Sequence, residues 1–157
     1  MKTILVLCTG NSARSQMAHG YLQHFADVSD HDVLDNDTAG RNRSAQVYSA
    51  GVAPHGVNPL AIQVMAEDGI DISHHTSNHA DEYIAIPFDY VITVCDNARE
   101  QCPIFPSTAK KVHHSFTDPG HQSDVDPLTS FRQVRDEIKA YSRQFIEDNV
   151  TSRTTHA

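Results

Sequence analysis

The sequence has little cysteine, no tryptophan and no long hydrophobic run. Three cysteines in 157 residues are an odd number and too few for a disulfide-stabilised scaffold. The first apolar run ends at Leu7, far short of a signal peptide or a membrane span. We therefore expect a cytoplasmic protein that does not bind a membrane, in which the cysteines are chemical, metal-binding or inert.

Positive charge is also scarce. The chain has 12 lysines and arginines against 20 aspartates and glutamates, so its formal net charge is −8. Such a balance argues against nucleic acid as a partner. An anionic substrate would need a locally positive pocket, built from backbone amides and one or two arginines.

A zinc-binding pattern is missing as well. The 11 histidines are scattered, and neither they nor the cysteines have the spacing of a structural zinc site. We expect these histidines to be solvated or to cap helices. The sequence therefore predicts no metal site.

What the sequence does contain is a regular alternation of strand-like and helix-like segments. Continuous apolar or β-branched runs predict strands at residues 4–7, 46–49, 89–94 and 111–114. Apolar residues three or four positions apart predict helices over residues 17–25, 59–67 and 128–145. Strands that alternate with helices predict an α/β fold with a parallel sheet, whose ligand sites lie at the carboxyl ends of the strands.

The length suits one domain, which we place at residues 1–150. An acidic segment at about residues 27–45 has few large apolar side chains and predicts a solvated loop inserted into this domain. Its aspartates do not have the spacing of a calcium-binding loop. Residues 151–157 predict a disordered polar tail.

The segment from Cys8 to Ser15, called the anion loop below, joins the first strand to the first helix. A tight turn into a helix directs several backbone N–H groups inward, and the helix N-terminus adds partial positive charge. Arg14 can add a bidentate grip on two oxygens of a tetrahedral anion. The residues predicted to bind this anion are Thr9, Gly10, Asn11, Ser12, Ala13, Arg14 and Ser15.

The same positive field favours a thiolate at Cys8. We expect its pKa to lie below about 8.5, the value of an unperturbed thiol, so that Cys8 is nucleophilic at neutral pH. Ser15 is placed to donate a hydrogen bond to that thiolate. Gly10 suits the sharp bend of the loop, and Asn11 tolerates left-handed backbone angles better than most residues.

The anion loop, the Asp118-Pro119 pair and the strand order resemble the low-molecular-weight tyrosine phosphatase family, over nearly the whole chain except the acidic segment and the tail. This resemblance implies a three-layer α/β sandwich around a central four-stranded parallel sheet, a flavodoxin-like fold. It also implies that Asp118 protonates the leaving group. On its own, an Asp-Pro pair is equally typical of a turn.

Two further cysteines point to one branch of that family. The segment from Val94 to Pro103, which contains Cys95 and Cys102, is similar to that of arsenate reductases that draw electrons from thioredoxin. Residues 8–12, 70–73 and 134–138 resemble the same branch. The resemblance implies arsenate as the substrate, reduced thioredoxin as the partner and no bound cofactor.

The resemblance also implies a relay among the three thiols. Cys8 attacks arsenate, Cys95 then attacks the sulfur of Cys8, and Cys102 finally attacks Cys95, so that a Cys95–Cys102 disulfide passes to thioredoxin. The catalytic residues are then Cys8, Arg14, Cys95, Cys102 and Asp118. The polar segment 96–101 suits the movement that this relay requires.

Three positions depart from the branch. Relatives that bind potassium behind the anion loop use residues matched here by Asn11, Ser49 and Thr76, but His19 and Asn78 stand where carboxylates are expected. We therefore predict no specific potassium site, with a protonatable His19 partly taking the place of the ion. Ala13 stands where a cysteine is frequent, and we expect no loss of function from this change.

Two other functions remain open at this point. A phosphatase for phosphotyrosine or a small phosphomonoester would use the same anion loop, because arsenate and phosphate share shape and charge. The residues after Pro119 lack the tyrosines expected of a tyrosine phosphatase. An anion-binding or redox-sensing module without turnover is the third possibility.

Overall fold

The computed structural model describes residues 1–28, 44–94, 105, 107–117, 119 and 126–150. Within them lie four strands, β1 (Lys2–Cys8), β2 (Ala45–Gly51), β3 (Tyr90–Thr93) and β4 (Lys110–His113). The α-helices of the described residues are α1 (Arg14–Val28), α2 (Pro59–Glu67) and α3 (Pro127–Asn149), and a 3₁₀ turn covers Ala80–Tyr83.

The four strands form one parallel sheet in the order β2-β1-β3-β4. The chain order therefore reverses direction across the sheet between β1 and β3. In open α/β sheets, ligands bind at this reversal point, beyond the carboxyl ends of the strands. Cys8 is the last residue of β1 and lies at that point.

Strand β1 is buried on both sides, as is typical of a central parallel strand. Because side chains alternate along a strand, Ile4 and Val6 face one side of the sheet and Leu5 and Leu7 face the other. The first side packs against apolar residues of the three α-helices. The second side packs against a smaller layer that includes Phe88 and Phe105. This arrangement confirms the layered α/β fold, with the three described α-helices on one face of the sheet.

Capping residues explain where two helices begin. The Asn58 side chain accepts a hydrogen bond from the backbone N–H of Leu60, and Pro59 supplies the first helical position of α2. Asp126 caps α3 in the same way, again followed by a proline. Gly69, at φ +79°, follows the end of α2.

The elements are mostly longer than the sequence patterns predicted. β1 continues to Cys8 and β2 to Gly51, because parallel pairing between them extends that far. Helix α1 reaches Val28 and β2 begins at Ala45, so the ends of the acidic segment belong to regular structure. Residues 29–43 and 151–157 lie outside the described residues. In the part of the chain that is described, no helix combines the length and apolar character that a membrane crossing would require.

Candidate active site

The carbonyl groups of the anion loop point away from its concave side. Five consecutive carbonyl oxygens, those of residues 9–13, accept hydrogen bonds from neighbouring groups. The described peptide bonds are trans, and in a trans peptide the N–H of one residue points opposite to the carbonyl of the residue before it. The N–H groups of residues 10–14 therefore point to the other side of the loop. This is the arrangement that the predicted cradle for a tetrahedral anion requires.

The segment after β2 supplies most of these outer donors. The N–H groups of Val52 and Ala53 donate to Thr9 O at 3.0 and 2.9 Å, and that of His55 donates to Gly10 O at 3.0 Å. Further along, Asn58 N donates to Ser12 O at 2.9 Å. The segment thus holds the anion loop from outside along most of its length.

Cys8 and Arg14 lie at the two ends of the anion loop. Both are buried, with exposed fractions of 4% and 6%. Nη1 of Arg14 donates to the carbonyl oxygen of Phe116 at 3.3 Å, which orients the guanidinium group. Phe116 comes two residues before Asp118, so the segment that leads to the predicted proton donor contacts the predicted anion-binding arginine. Asp118 itself lies outside the described residues.

Asn11 adopts the left-handed conformation that the sequence suggested, with φ at +47°. Its Oδ1 accepts a hydrogen bond from the backbone N–H of Asn78 at 2.8 Å, and its Nδ2 donates to Ser15 Oγ at 2.9 Å. Both side-chain bonds stabilise a backbone conformation that costs free energy in residues other than glycine. The Ser15 hydroxyl accepts from Asn11 and keeps its own hydrogen for donation.

A buried network behind the loop was not predicted. Gln16 is fully buried, and its Nε2 donates to the carbonyl oxygens of Asn11 and Thr76 at 3.1 and 3.0 Å. Its Oε1 lies 2.9 Å from Nδ1 of His75. The ring of His75 stacks on that of His19, with centroids 4.3 Å apart. The network therefore joins the anion loop to a pair of histidines.

The two histidines are neutral at physiological pH. Burial, together with the nearby rings of His75 and His74, lowers the pKa of His19 to about 3. Burial and His74 likewise lower the pKa of His75 to about 4. These two side chains differ from the prediction of solvated or capping histidines. His79 does cap the 3₁₀ turn, as predicted.

The residues that the resemblance places at a potassium site do not fit a cation here. His19 Nδ1 lies 2.8 Å from Ser49 Oγ, and Thr76 Oγ1 donates to Asn78 Oδ1 at 2.7 Å. With Asn11 these residues offer no carboxylate, whereas hard cations prefer anionic oxygen ligands. His19, which the sequence offered as a protonatable substitute for the ion, occupies its place as a neutral ring. The described residues also contain no group of three or more His, Cys, Asp or Glu side chains suited to a metal.

Of the predicted site residues, the structure describes Cys8 and the rest of the anion loop. Cys95 and Cys102 lie outside the described residues, but the backbone just before Cys95 is described. The N–H of Val94 donates to the carbonyl oxygen of Leu7 at 3.0 Å. The residue before Cys95 is thus bonded to the residue before Cys8.

Gly51, Gln16, His75 and Ser77 support the anion loop but were not singled out from the sequence. Ser77 Oγ donates to Asn11 O at 2.6 Å, and Gly51 packs directly against the loop. Parallel pairing of two strands that both end in a loop could have indicated Gly51. Nothing local indicated the other three because, apart from the bond between Gln16 and Asn11, their partners are 59 to 67 residues away in the chain.

Comparison with known proteins identifies relatives over nearly the whole chain. A family model described as low molecular weight phosphotyrosine protein phosphatase matches residues 3–154. Arsenate reductase 2 of Staphylococcus epidermidis is 44% identical over 144 residues, which cover 92% of this chain and 95% of that protein.

Comparison with solved structures also finds similar proteins over most of the chain. One described as an arsenate reductase in the phosphate binding state is 32% identical, with a TM-score of 0.71 and coverage of 94% of this chain and 98% of that one. A thioredoxin-dependent arsenate reductase of Corynebacterium glutamicum shares the fold at 22% identity and a TM-score of 0.61, with coverage of 95% of this chain and 64% of that one.

Proposed function

The chain belongs to the low molecular weight phosphotyrosine protein phosphatase family, and from this premise we propose that it reduces arsenate to arsenite with three cysteine thiols and thioredoxin as electron donor. The anion loop supports an oxyanion substrate. The relatives that are 44% identical are arsenate reductases, which supports arsenate as that substrate.

One observation carries the proposal: the hydrogen bond between Val94 N and Leu7 O. Val94 immediately precedes Cys95, and Leu7 immediately precedes Cys8. Neighbouring parallel strands lie about 4.8 Å apart, and a disulfide joins α-carbons about 4.4 to 6.8 Å apart. A chain that leaves β3 beside the end of β1 is therefore suited to bring a second thiol to Cys8. A phosphatase has no chemical need for that thiol.

The first step forms a bond between sulfur and arsenic. The backbone N–H groups and Arg14 hold the arsenate oxygens, and the Cys8 thiolate attacks arsenic while Asp118 protonates the departing oxygen, which leaves as water. We expect the Ser15 hydroxyl to donate to the Cys8 thiolate. Arsenic is still pentavalent after this step.

The second step reduces arsenic. The Cys95 thiolate attacks the sulfur of Cys8, a Cys8–Cys95 disulfide forms and the sulfur–arsenic bond breaks. The electron pair of that bond stays on arsenic, which leaves as trivalent arsenite. Two thiols are thereby oxidised as one arsenic atom is reduced by two electrons.

The third step regenerates Cys8. The Cys102 thiolate attacks Cys95, so the disulfide moves to Cys95–Cys102 and Cys8 leaves as a thiolate. The two thiols of reduced thioredoxin then reduce the Cys95–Cys102 disulfide and become oxidised themselves. The relay requires a compartment that keeps thiols reduced, which is the cytoplasm.

A phosphatase is the second candidate, because the family model is one of phosphatases and phosphate shares the shape and charge of arsenate. Cys8 would form a thiophosphate ester, and water would hydrolyse it. Cys95 and Cys102 would then have no role.

A coupled assay distinguishes the two. Thioredoxin, thioredoxin reductase and NADPH are mixed with the protein, arsenate is added, and the loss of NADPH is followed for wild type and for Cys8→Ser, Cys95→Ser and Cys102→Ser. We expect arsenate-dependent NADPH loss in wild type alone. Hydrolysis of p-nitrophenyl phosphate without arsenate-dependent NADPH loss would show that the reductase proposal is wrong.

A further inference from the structure

Gln16 is a fully buried amide whose orientation is set by its partners. The carbonyl oxygens of Asn11 and Thr76 can only accept hydrogen bonds, so the atom facing both must be the Nε2 donor. Oε1 then faces Nδ1 of His75 at 2.9 Å, and Nδ1 must carry the hydrogen. His75 thereby prevents the amide from turning around.

We propose that Gln16 is a positioning residue for oxyanion binding, and that His75 keeps its amide in the donating orientation. The Asn11 carbonyl that accepts from Gln16 belongs to the same peptide unit as the N–H of Ser12. Because this peptide is trans, turning the carbonyl outward turns the Ser12 N–H toward the anion. The hydrogen bond from Gln16 stabilises that arrangement before the anion arrives.

The hydrogen bonds around the Asn11 carbonyl favour a positioning role for Gln16 over a role in core packing alone. The same carbonyl also accepts from Ser77 Oγ at 2.6 Å, so two donors fix one peptide unit of the anion loop. Asn11 has a positive φ, which costs free energy in residues other than glycine, so this turn of the loop depends on such partners. We therefore expect loss of Gln16 to weaken anion binding without abolishing it.

His75 is suited to hold the amide because its ring is neutral and fixed. It stacks on His19 of α1, and its edge meets His74 at 4.8 Å between centroids. His19 and His74 are the titratable groups that adjoin the ring, and Asp71 acts on it electrostatically. A neutral imidazole has one N–H, and the contact with Gln16 places it on Nδ1.

Helix α1 offers a matched control in Gln23, about two turns further on. Its Nε2 donates to Ala45 O at 2.9 Å, and its Oε1 accepts from Val47 N at 2.9 Å. Gln23 thus joins α1 to another segment with the same kinds of bond as Gln16. Its hydrogen-bond partners Asp27, Ala45 and Val47 lie in α1 and β2, away from the anion loop.

The test measures binding of inorganic phosphate at pH 7 from the protection of Cys8 against iodoacetamide, with alkylation quantified on the Cys8 peptide by mass spectrometry. We expect Gln16→Met to weaken phosphate binding about tenfold, the loss of one or two net hydrogen bonds. Gln23→Met should lower the melting temperature but keep phosphate affinity within twofold. Equal phosphate affinity in Gln16→Met and wild type would overturn the proposal, and so would an equal loss in Gln23→Met.

A second pair of variants tests the role of His75 and leaves the fully buried Gln16 unchanged. His75→Asn keeps an N–H donor near the place of Nδ1, whereas His75→Leu removes it. We expect the leucine variant to bind phosphate several-fold more weakly and the asparagine variant to stay within twofold of wild type. Equal affinity in the two variants would contradict the role of His75.

The inference rests on the oxyanion-binding half of the proposed function and not on the relay. Phosphate binding needs neither arsenate turnover nor thioredoxin. If the coupled assay fails while phosphate protects Cys8, the reductase proposal is lost and the test of Gln16 still stands. If the coupled assay succeeds and Gln16→Met binds phosphate normally, the positioning role alone is lost.

Discussion

Gly51 lies so close to Thr9 that a β-carbon built on the glycine would be 2.5 Å from the carbonyl oxygen of Thr9. Two more backbone atoms crowd the same point, Cys8 O at 2.9 Å and Asn11 N at 3.0 Å. Backbone atoms held by hydrogen bonds cannot turn aside as the end of a flexible side chain can. The missing side chain at position 51 is therefore what allows the anion loop to pack against β2.

Gly51→Ala should displace this part of the anion loop. We expect a loss of about 1 to 3 kcal/mol in the free energy of unfolding, typical of overpacking, and weaker phosphate binding because the Cys8 and Thr9 carbonyls must move. Urea unfolding and the Cys8 protection assay measure the two effects.

Gly20→Ala is the control for that change. Its β-carbon would meet Cγ2 of Ile72 at 2.8 Å and Cε of Met65 at 2.9 Å, which are side-chain atoms of residues outside the anion loop. Phosphate affinity should therefore stay within twofold of wild type. Normal phosphate binding by Gly51→Ala would show that the close packing does not matter for the anion site.

The left-handed conformation of Asn11 predicts different effects for two substitutions. Asn11→Gly keeps the backbone conformation but loses the side-chain bonds to Asn78 and Ser15. Asn11→Ala loses the same bonds and adds a conformational cost of about 1 to 2 kcal/mol. Urea unfolding should therefore show the alanine variant to be the less stable of the two. An alanine variant as stable as the glycine variant would mean that the loop adopts another conformation.

The fold was largely predictable because its signals are local. Continuous apolar runs indicated the strands. Asn58 and Pro59 mark the start of helix α2, whose predicted and observed bounds are both Pro59 and Glu67. The segment from Cys8 to Ser15 was predictable as a turn between β1 and α1 for the same reason, since its cysteine, its turn residues and its arginine lie within seven positions of one another.

The support of that loop was not predictable, because it depends on contacts between distant segments. Gln16 is an unremarkable polar residue in sequence, and it gains a role when the fold brings Thr76 and His75 to it. The contact of Arg14 with Phe116 spans 102 positions. The histidines illustrate the same limit. Their scattered positions in the sequence suggested solvated or capping side chains, whereas the burial of His19 depends on the packing of α1 against β2.

Burial of His19 predicts an acid-sensitive fold. Its pKa is about 3 in the folded protein against an ordinary value of 6.5, so below pH 6.5 the unfolded chain binds the proton that the folded protein excludes. Stability therefore falls as the pH falls through 6.5 toward 3. His19→Asn should reduce the loss of unfolding free energy between pH 6 and pH 4 by about 2 kcal/mol. Urea unfolding at several pH values measures this difference.

His24→Asn is the control, because His24 is an exposed histidine on the same helix. It should leave the pH dependence of stability as it is in wild type. A His19→Asn variant with the same acid sensitivity as wild type would contradict the assignment of a buried neutral His19.

No carboxylate is present among Asn11, His19, Ser49, Thr76 and Asn78, and this predicts that potassium has no specific effect. Replacing Na⁺ by K⁺ at constant ionic strength should leave arsenate-dependent NADPH loss unchanged in wild type. His19→Glu restores one anionic oxygen ligand and should make the activity respond to K⁺. A strong rise of wild-type activity with K⁺ would contradict this prediction.

The thiol relay predicts how many turnovers each variant completes without thioredoxin. Wild type should release one arsenite per protein molecule and end with a Cys95–Cys102 disulfide. Cys102→Ser should also release one arsenite, because Cys95 alone can displace arsenic from Cys8, but it should end with a Cys8–Cys95 disulfide. Cys95→Ser should release none, since nothing takes its place in the attack on Cys8. Arsenite measurement after rapid mixing, with disulfide mapping by mass spectrometry, checks all three. Arsenite release by Cys95→Ser would require Cys102 to attack Cys8 directly and would reverse the order of the relay proposed from the bond between Val94 and Leu7.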